Sequence, residues 1–154
     1  VNTILAEQLG LKNIRPLHKE DIADEGYFGL GAIGEIEEET DAIEFLKNVK
    51  AILNIHNIRY VNGKKDKIKT IAICGGSGTD FIDDALRERV DCFLTGDVKY
   101  HQFLDCENRF LLADIGHFES ENFIKEYLFS LLSENFCNFA NLHLDNSANH
   151  IKNI

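Results

Sequence analysis

The order of hydrophobic and polar residues becomes regular in the second half of the chain, where it predicts strands that alternate with short helices. The predicted strands are residues 68–74, 91–95, 110–114 and, near the end of the chain, 137–144. The predicted helices, in which apolar residues recur at helical spacing, are residues 79–89, 98–107 and 119–135. Strands that alternate with helices form βαβ units, so the pattern predicts an α/β fold with a mostly parallel sheet.

The first part of the chain predicts fewer elements. The expected helices are residues 1–9 and 41–53, and the expected strands are residues 57–61 and a glycine-rich strand or bulged edge over residues 29–36. Asp41 and Glu44 resemble a capping box at the start of the second helix. Residues 11–28 show no regular pattern and are expected to be irregular. In the last predicted helix, the stripe that includes Phe123 and Tyr127 is expected to lie in the core.

The composition is that of a soluble globular chain. Its 154 residues are 44% hydrophobic and 27% charged, and no apolar run approaches the roughly 20 residues of a membrane span. The 16 basic and 26 acidic side chains give a net charge of −10, which disfavours binding to a nucleic-acid backbone. The four cysteines, at positions 74, 92, 106 and 137, form no CxxC pair. Three of the four fall in or beside predicted strands or helices, as small buried residues do, and we expect a protein of the reducing cytoplasm.

Three loops follow predicted strands, at the carboxyl ends where parallel α/β sheets bind ligands. The first loop is Gly75-Gly76-Ser77-Gly78 and precedes a predicted helix, so its backbone amides can cradle a phosphate. A tight turn that needs glycine for positive φ accounts for the same residues equally well. The loop lacks the Gly-Lys-Ser/Thr of a Walker motif and the third glycine of the dinucleotide fingerprint.

The second loop contains an acid, a base and an imidazole within five residues: Asp97, Lys99 and His101. His101 follows Asp97 by four positions and is expected on the same face of a helix, so the three side chains can line a pocket. Asp97 can equally be the N-cap of that helix, and the sequence leaves both interpretations open.

The third loop contains His117 and Glu121, which are four positions apart. If a helix begins here, both side chains lie on one face, where an imidazole and a carboxylate can hold a divalent metal ion. The other interpretation is a strand-to-helix turn whose acids favour the N-terminus of the helix. Two ligands are too few for a complete metal site, so further donors must come from elsewhere.

These motifs, in this order and approximate spacing, resemble those of the type 2 GTP cyclohydrolase I family, also called the Nif-three-like proteins. The motifs are Cys74-Gly75-Gly76-Ser77-Gly78, Thr95-Gly96-Asp97-Val98-Lys99-Tyr100-His101 and Gly116-His117-Phe118-Glu119-Ser120-Glu121. Weaker similarity extends back to the first residues, so the resemblance covers most of the chain.

The resemblance implies a two-domain α/β protein with two divalent metal ions (Zn, Fe or Mn) in a cleft, assembled into a ring-like homo-oligomer such as a hexamer. It assigns His117 and Glu121 as metal ligands and takes the others from a His-His pair and an aspartate of an N-terminal segment. No His-His pair and no Met occur in this sequence. We therefore expect the chain to be the C-terminal portion of a larger protein, with residues 1–60 linking to the second domain and residues 68–154 carrying the site.

The function implied by the resemblance is that of a metal-dependent hydrolase. A metal-activated water would attack C8 of the guanine of GTP, open the ring and release formate. Asp97, Lys99 and His101 would line the pocket as proton carriers or substrate contacts. The alternative is a non-catalytic, metal-containing oligomeric scaffold that binds a nucleotide or a protein. Because this chain lacks half of the implied ligands, we expect it to be inactive by itself.

Overall fold

Six strands form one mixed sheet in the computed structural model, which describes residues 1–19, 29–136, 144–145 and 148–151. The strands of the described residues are β1 (Lys12–Arg15), β2 (His18–Lys19), β3 (Gly29–Leu30), β4 (Ala32–Asp41), β5 (Arg59–Val61), β6 (Lys67–Ile73), β7 (Cys92–Thr95) and β8 (Leu111–Asp114). The order in the large sheet is β1-β4-β6-β7-β8-β5, and β2 pairs with β3 in a separate two-stranded sheet.

The three neighbouring strands β6, β7 and β8 are parallel, as the sequence predicts. In contrast, β1, β4 and β5 are antiparallel to their partners. The α/β class is therefore confirmed, but the sheet is mixed rather than mostly parallel. The direction in which β4 and β5 enter the sheet depends on tertiary packing, and local alternation of strands and helices contains no information about it.

The first part of the chain contributes more to the sheet than its pattern predicts. Strand β4 is not an edge strand, because it lies between β1 and β6, with a register shift between Glu35 and Thr40. The expectation that residues 11–28 are irregular is wrong for β1 and β2. Residues 1–60, which we expected to link to a second domain, thus supply strands to the same sheet as β6.

The helices of the described residues are shorter than the sequence predicts. They are α1 (Asn2–Gln8), α2 (Ala42–Ile52), α3 (Ile82–Arg87), α4 (Tyr100–Cys106), α5 (His117–Glu121) and α6 (Ile124–Asn135), with a 3-10 turn over Thr79–Phe81. The side chain of Asp41 accepts hydrogen bonds from the amides of Ile43 and Glu44 at 3.0 Å, which confirms it as the N-cap of α2. The single helix expected over 119–135 is interrupted at Asn122 and Phe123, so α5 and α6 are separate.

The core has two halves, one on each face of the sheet. Leu5 of α1 and Val49 of α2 pack against Ile71 and Leu94 on one face. Ala85 and Phe103, from α3 and α4, pack against Phe93 on the other face. Successive strand residues point to opposite faces, so the apolar runs of β6, β7 and β8 serve both halves. No helix of the described residues is both long and apolar enough to span a bilayer.

The residues expected to be buried include the cysteines and the apolar stripe of the last helix, and the structure confirms the first expectation more fully than the second. Cys74, Cys92 and Cys106 are buried free thiols, as predicted. Burial raises the pKa of Cys74 and that of Cys106 to about 11, and the pKa of Cys92 well above its usual value. The expectation that the stripe of the last helix lies in the core is confirmed for Phe123, which precedes α6 and packs against the core. It is wrong for α6 itself, which has no buried residue and in which Tyr127 is 47% exposed. Cys137 and most of the strand expected over 137–144 lie outside the described residues.

Candidate metal centre

The loops that follow β6, β7 and β8 lie against one another. The backbone amide of Gly96 donates to the carbonyl of Gly76 at 2.8 Å, which joins the first loop to the second. A methyl group on Gly96 would lie 2.8 Å from the amide nitrogen of His117, so the second and third loops approach too closely for a side chain at this position. The polar residues of all three loops are thereby brought to one edge of the sheet.

His117 and Glu121 face each other across one turn of α5. Nε2 of His117 lies 3.3 Å from Oε2 of Glu121, and the two side chains are 51% and 45% exposed. Helix α5 begins at His117, so the four-residue spacing places both groups on one helical face. Both donor atoms are therefore accessible to a cation from solvent.

Asp97 holds the other nitrogen of the His117 ring. Its Oδ2 lies 2.7 Å from Nδ1, and because an ionised carboxylate only accepts, Nδ1 carries the proton and donates. This hydrogen bond is the main reason that the pKa of His117 is raised; partial burial opposes it, and the charges of Asp97 and Glu121 add to it. Asp97 has a left-handed φ of 56°, which is uncommon for residues other than glycine and often accompanies a functional constraint.

The tautomer set by Asp97 determines whether Nε2 of His117 directs a lone pair or an N–H toward Glu121. With Nδ1 protonated, neutral imidazole directs the lone pair of Nε2 toward the carboxylate, and two acceptors at 3.3 Å repel unless a proton or a metal ion lies between them. Histidines that bind metals commonly donate their other N–H to a carboxylate, which fixes the tautomer and orients the ring. The arrangement fits His117 and Glu121 as ligands of a divalent ion, with Asp97 as a positioning residue.

The part of the chain that the structure describes supplies only a share of a metal site. Within it, no group of three or more His, Cys, Asp and Glu side chains is arranged to hold a metal ion, since Asp97 is hydrogen-bonded to the far side of the His117 ring. A shallow cavity of about 400 Å³ opens beside the two donors. Its lining includes His117, Phe118, Glu121, Ile124, Lys125 and Ile151.

Gly76 leaves room for the two donor atoms. Its φ is +66°, and a methyl group at this position would lie 2.7 Å from Oε1 of Glu121 and 3.3 Å from Nε2 of His117. Any side chain here would be strained and would also enter the space beside both donors. The glycine is therefore required by the geometry of the pair as well as by the turn.

The backbone amides of the glycine loop already donate to side chains of the protein. The donors are the amides of Gly75, Gly76 and Gly78, and the acceptors are the side-chain oxygens of Asn2, Ser120 and Thr95 at 2.8–2.9 Å. An anion would have to displace these bonds, so the geometry favours a tight turn over a phosphate cradle. Of the four candidate phosphate-binding residues, Ser77 is the exposed one.

Asp114, at the end of β8, connects the second and third loops. Its carboxylate accepts from the amide of Val98 at 3.2 Å and from the amide of Gly116 at 3.1 Å. Arg59 of β5 donates to the same carboxylate and also to the carbonyl of Val98, while its guanidinium lies over the ring of Phe103. Because Asp114 is only 7% exposed, these donors replace the water that it loses on folding.

Lys99 and His101 are both exposed. Among the described residues, neither side chain forms an ion pair with the acids of the site. Lys99 is the N-cap of α4, where its amide donates to Oε1 of Gln102 at 2.8 Å. The interpretation of Asp97 as the N-cap of this helix is therefore wrong, and its carboxylate is used by His117 instead.

Sequence reasoning gave no role to four residues that position the site: Asn2, Arg59, Asp114 and Ser120. Asn2 and Arg59 reach the loops from 73 and 55 positions away, and no local pattern indicates such contacts. Asp114 and Ser120 are polar residues buried at the end of a strand and in the first turn of a helix. That combination, a polar residue where the apolar pattern predicts burial, is the signal that could have found them.

The fold and the site define an α/β protein with polar loops and a candidate metal-ligand pair at the carboxyl ends of three parallel strands. Residues 1–150 match the family model described as Duf34/NIF3 (NGG1p interacting factor 3), and the chain belongs to this family. The resemblance inferred from the three sequence motifs is thus confirmed.

Two curated relatives have the name GTP cyclohydrolase 1 type 2 homolog. One, from Staphylococcus aureus strain MRSA252, is 37% identical over 132 residues, which make up 85% of this chain and 36% of the relative. Another, from Clostridium perfringens strain 13, is 36% identical over 122 residues, which make up 79% of this chain and 46% of the relative. The chain therefore spans about a third to a half of the length of these relatives.

A solved structure has a similar fold. It is the crystal structure of a hypothetical protein from Staphylococcus aureus, with 30% sequence identity and a TM-score of 0.76. The match covers 88% of this chain and 56% of that chain. The α/β architecture of the chain is therefore similar to that of part of a protein of solved structure.

Proposed function

We propose that the protein is a metal-dependent hydrolase of the type 2 GTP cyclohydrolase I kind, with His117 and Glu121 as metal ligands. The observation that carries the proposal is the 3.3 Å approach of Nε2 of His117 to Oε2 of Glu121, with the opposite ring nitrogen held by Asp97. The names of the curated relatives supply the substrate class, a guanine nucleotide.

In the proposed reaction, water adds to C8 of the guanine of GTP and the imidazole ring of the base opens to a formamide. A second water then hydrolyses the formamide and releases formate. A bound divalent ion supplies a Lewis acid that makes water reactive near neutral pH. Asp97 keeps His117 in the tautomer that leaves Nε2 available as a ligand. Lys99 and His101 are proposed to contact the nucleotide or to carry protons, because both are exposed side chains of the loop that contains Asp97.

The proposal requires ligands beyond those that the described residues supply. Two metal ions are proposed, and zinc, iron and manganese all accept imidazole and carboxylate donors. His117 and Glu121 provide two donors, whereas a single protein metal site uses about four. The others must come from water, from residues outside the described ones or from a segment outside this sequence, so the test needs the intact protein.

The test is the release of formate from GTP by the intact, metal-loaded protein. The His117→Ala, Glu121→Ala double variant is expected to lose bound metal and formate release together. His56→Ala, which removes an exposed histidine outside the site, is the matched control and should keep both. Unchanged metal content in the double variant would show that the two residues are not ligands, and a fully metal-loaded protein that releases no formate would rule out the hydrolase.

A second candidate function is a metal-containing scaffold, for which the surface of α6 is the supporting observation. Tyr127, Leu128, Leu131 and Leu132 are 41–47% exposed, and apolar surface of this kind marks interaction sites. We propose that a second copy of the chain covers this surface in a homo-oligomeric ring such as a hexamer. Tight binding of GTP in calorimetry without formate release would favour the scaffold over the enzyme.

The oligomer can be tested by light scattering on the intact protein. Leu128→Glu places a charge in the exposed surface of α6 and is expected to lower the mass of the assembly. Leu104→Glu on α4 is the matched control, because Leu104 is similarly exposed, at 52%, but lies on a different helix. An assembly that is unchanged in Leu128→Glu would show that α6 is not the interface.

We also propose a cytoplasmic location. Cys74, Cys92 and Cys106 are free thiols, and free thiols are typical of a reducing compartment. GTP, the proposed substrate, is a metabolite of the cytoplasm. Fractionation of cells that express the intact protein tests the location, and recovery with the membrane or the extracellular fraction would contradict it.

A further inference from the structure

A second group of charged residues lies at the amino ends of the parallel strands, at the sheet edge opposite the candidate metal centre. Lys64 and Lys65 precede β6, Arg89 precedes β7, and Arg109 precedes β8. These four side chains line one cavity of about 620 Å³. Because the candidate metal centre follows the carboxyl ends of the same strands, the strands themselves separate the two regions.

The floor of this cavity is apolar. Ala85, Val90 and Phe110 line it and are buried, and Leu86 lines it and is partly buried. Small-molecule sites typically have volumes of about 300–1,000 Å³ and combine an apolar lining with a few polar or charged groups. The cavity has both properties.

The positive charge at the cavity is not balanced by acidic side chains. Among the described residues that line it, Asp91 is the single acid, and it already accepts from Nζ of Lys65 at 2.7 Å and from two backbone amides of β6. Within the described residues, Lys64, Arg89 and Arg109 form no ion pair. Cations gathered in this way, in a chain with a net charge of −10, create a local attraction for anions.

Arg89 occupies a backbone position that favours glycine. It follows α3 with a φ of +54°, and the amides of Arg89 and Val90 donate to the carbonyls of Leu86 and Ala85, as in a Schellman C-cap. Side chains other than that of glycine are strained in this conformation. An arginine at this position therefore reduces the stability of the C-cap while it adds a guanidinium to the cavity.

We propose that this cavity binds a small phosphorylated molecule that has at least two negative charges and an apolar ring or chain. The guanidinium groups of Arg89 and Arg109 each match a pair of phosphate oxygens, and Lys64 adds a point charge. The apolar floor accommodates the rest of the ligand. A nucleic-acid strand is disfavoured, because its backbone needs basic groups along an extended surface and the chain as a whole is acidic.

The probe for this site is inorganic pyrophosphate, titrated calorimetrically into the intact protein after chelator treatment, since pyrophosphate also binds free metal ions. The Arg89→Gln, Arg109→Gln double variant is expected to bind about tenfold more weakly or worse, because each arginine contributes charge-assisted hydrogen bonds. The matched control, Lys47→Gln with Lys50→Gln, removes the same charge from exposed positions on α2 and is expected to bind like the unmodified protein.

Two further variants distinguish binding at this cavity from binding at the candidate metal centre and from a purely conformational role of Arg89. The His117→Ala, Glu121→Ala variant is expected to retain pyrophosphate binding, because the candidate metal centre lies at the other edge of the sheet. Arg89→Gly is expected to have a higher thermal midpoint, since it relieves the left-handed strain, and yet to bind pyrophosphate more weakly. A higher midpoint with unchanged binding would overturn the role of Arg89.

Three results would overturn the site as a whole. The first is a lack of pyrophosphate binding to the unmodified protein. The second is an equal loss of binding in the lysine control, which would indicate a general effect of net charge. The third is tighter binding of a single-stranded oligonucleotide than of pyrophosphate at the same residues, which would replace the small ligand by a nucleic acid.

Discussion

Oδ2 of Asp97 lies 2.7 Å from Nδ1 of His117, although the two residues are 20 positions apart and belong to different loops. This contact decides which ring nitrogen faces Glu121. It extends the pair His117 and Glu121, four positions apart on one helix, to an arrangement of three residues from two strand ends. Asp97 thereby orients His117, the proposed metal ligand, without touching the position that a metal would occupy.

The first prediction is that Asp97→Asn weakens metal binding by about 10- to 100-fold, the usual effect of losing the hydrogen-bond partner of a ligating histidine. The amide can offer an N–H to Nδ1, which favours the tautomer with the proton on Nε2, the ligand atom. Competition with a chromophoric chelator measures the affinity. Asp105→Asn, an exposed acid on α4, is the control, and equal affinity in both variants would remove Asp97 from the site.

The second prediction compares two glycines with similar backbone angles, Gly76 at φ +66° and Gly10 at φ +76°. A methyl group at Gly10 meets nothing within 4 Å, whereas one at Gly76 meets Glu121 and His117. Gly10→Ala should cost about 1 kcal/mol of unfolding free energy from backbone strain alone. Gly76→Ala should cost about 1–3 kcal/mol more from crowding and should also weaken metal binding.

Denaturant unfolding of the two glycine variants gives the difference in stability, and chelator competition gives the metal affinity. If the metal affinity of Gly76→Ala matches that of Gly10→Ala, the room beside the donor atoms has no role in metal binding. If the two variants lose equal stability, the side chains of Glu121 and His117 move away from the added methyl group at no cost in free energy.

The third prediction concerns the unequal roles of Asp114 and Arg59. Asp114→Ala leaves the amides of Val98 and Gly116 without their acceptor and should lower the free energy of unfolding by about 2–3 kcal/mol. Arg59→Ala removes a side chain that is 65% exposed and should cost only about 1 kcal/mol or less. Thermal or denaturant unfolding checks the order, and an equal or reversed cost would mean that Arg59 is the principal support of the loops.

The fourth prediction is a pH dependence that comes from Asp91. Burial alone would raise its pKa, but hydrogen bonds from Lys65 and from the amides of Thr70 and Lys69 outweigh burial and lower the pKa below the ordinary value of 3.8. The folded state therefore favours the ionised form. Its contribution to stability is complete above the pKa of the unfolded chain and is lost as the pH falls through the lower pKa of the folded state.

Asp91→Asn should accordingly lower the free energy of unfolding by about 2 kcal/mol at pH 7, since an amide oxygen accepts more weakly than a carboxylate and the amide nitrogen cannot accept. The difference from the unmodified protein should shrink as the pH falls below about 4. Asp66→Asn, an exposed acid beside the same strand, is the control. A difference that stays constant between pH 7 and pH 3 would contradict the assignment to ionised Asp91.

Local chemistry made several elements predictable. Asp41 could be identified as an N-cap because a short carboxylate before an apolar helical pattern satisfies free amides. Strands β6, β7 and β8 could be found because each is a short apolar run bounded by glycine, asparagine or acidic residues. The buried cysteines followed from their positions in or beside these elements.

The local sequence pattern could not predict other features of the structure. The stripe on α6 is apolar at helical spacing, yet Leu128 and Leu131 are 46% and 43% exposed, because periodicity shows that a face is apolar and not what covers it. Strand β4 was underestimated because Glu37, Glu38 and Glu39 interrupt its apolar pattern and are exposed. The glycine loop had two interpretations until the partners of its amides were known.

The sequence by itself determined the α/β class, the family and the residue pair His117 and Glu121, because these depend on motifs and spacings that are contiguous in the chain. Only the tertiary structure decided the mixed order of the sheet, the use of Asp97 as the partner of His117 and the gathering of Arg89 and Arg109 at one cavity. The physical reason is that these features join residues from different strand ends, and the packing of the sheet, not the local sequence, fixes the distance between such residues.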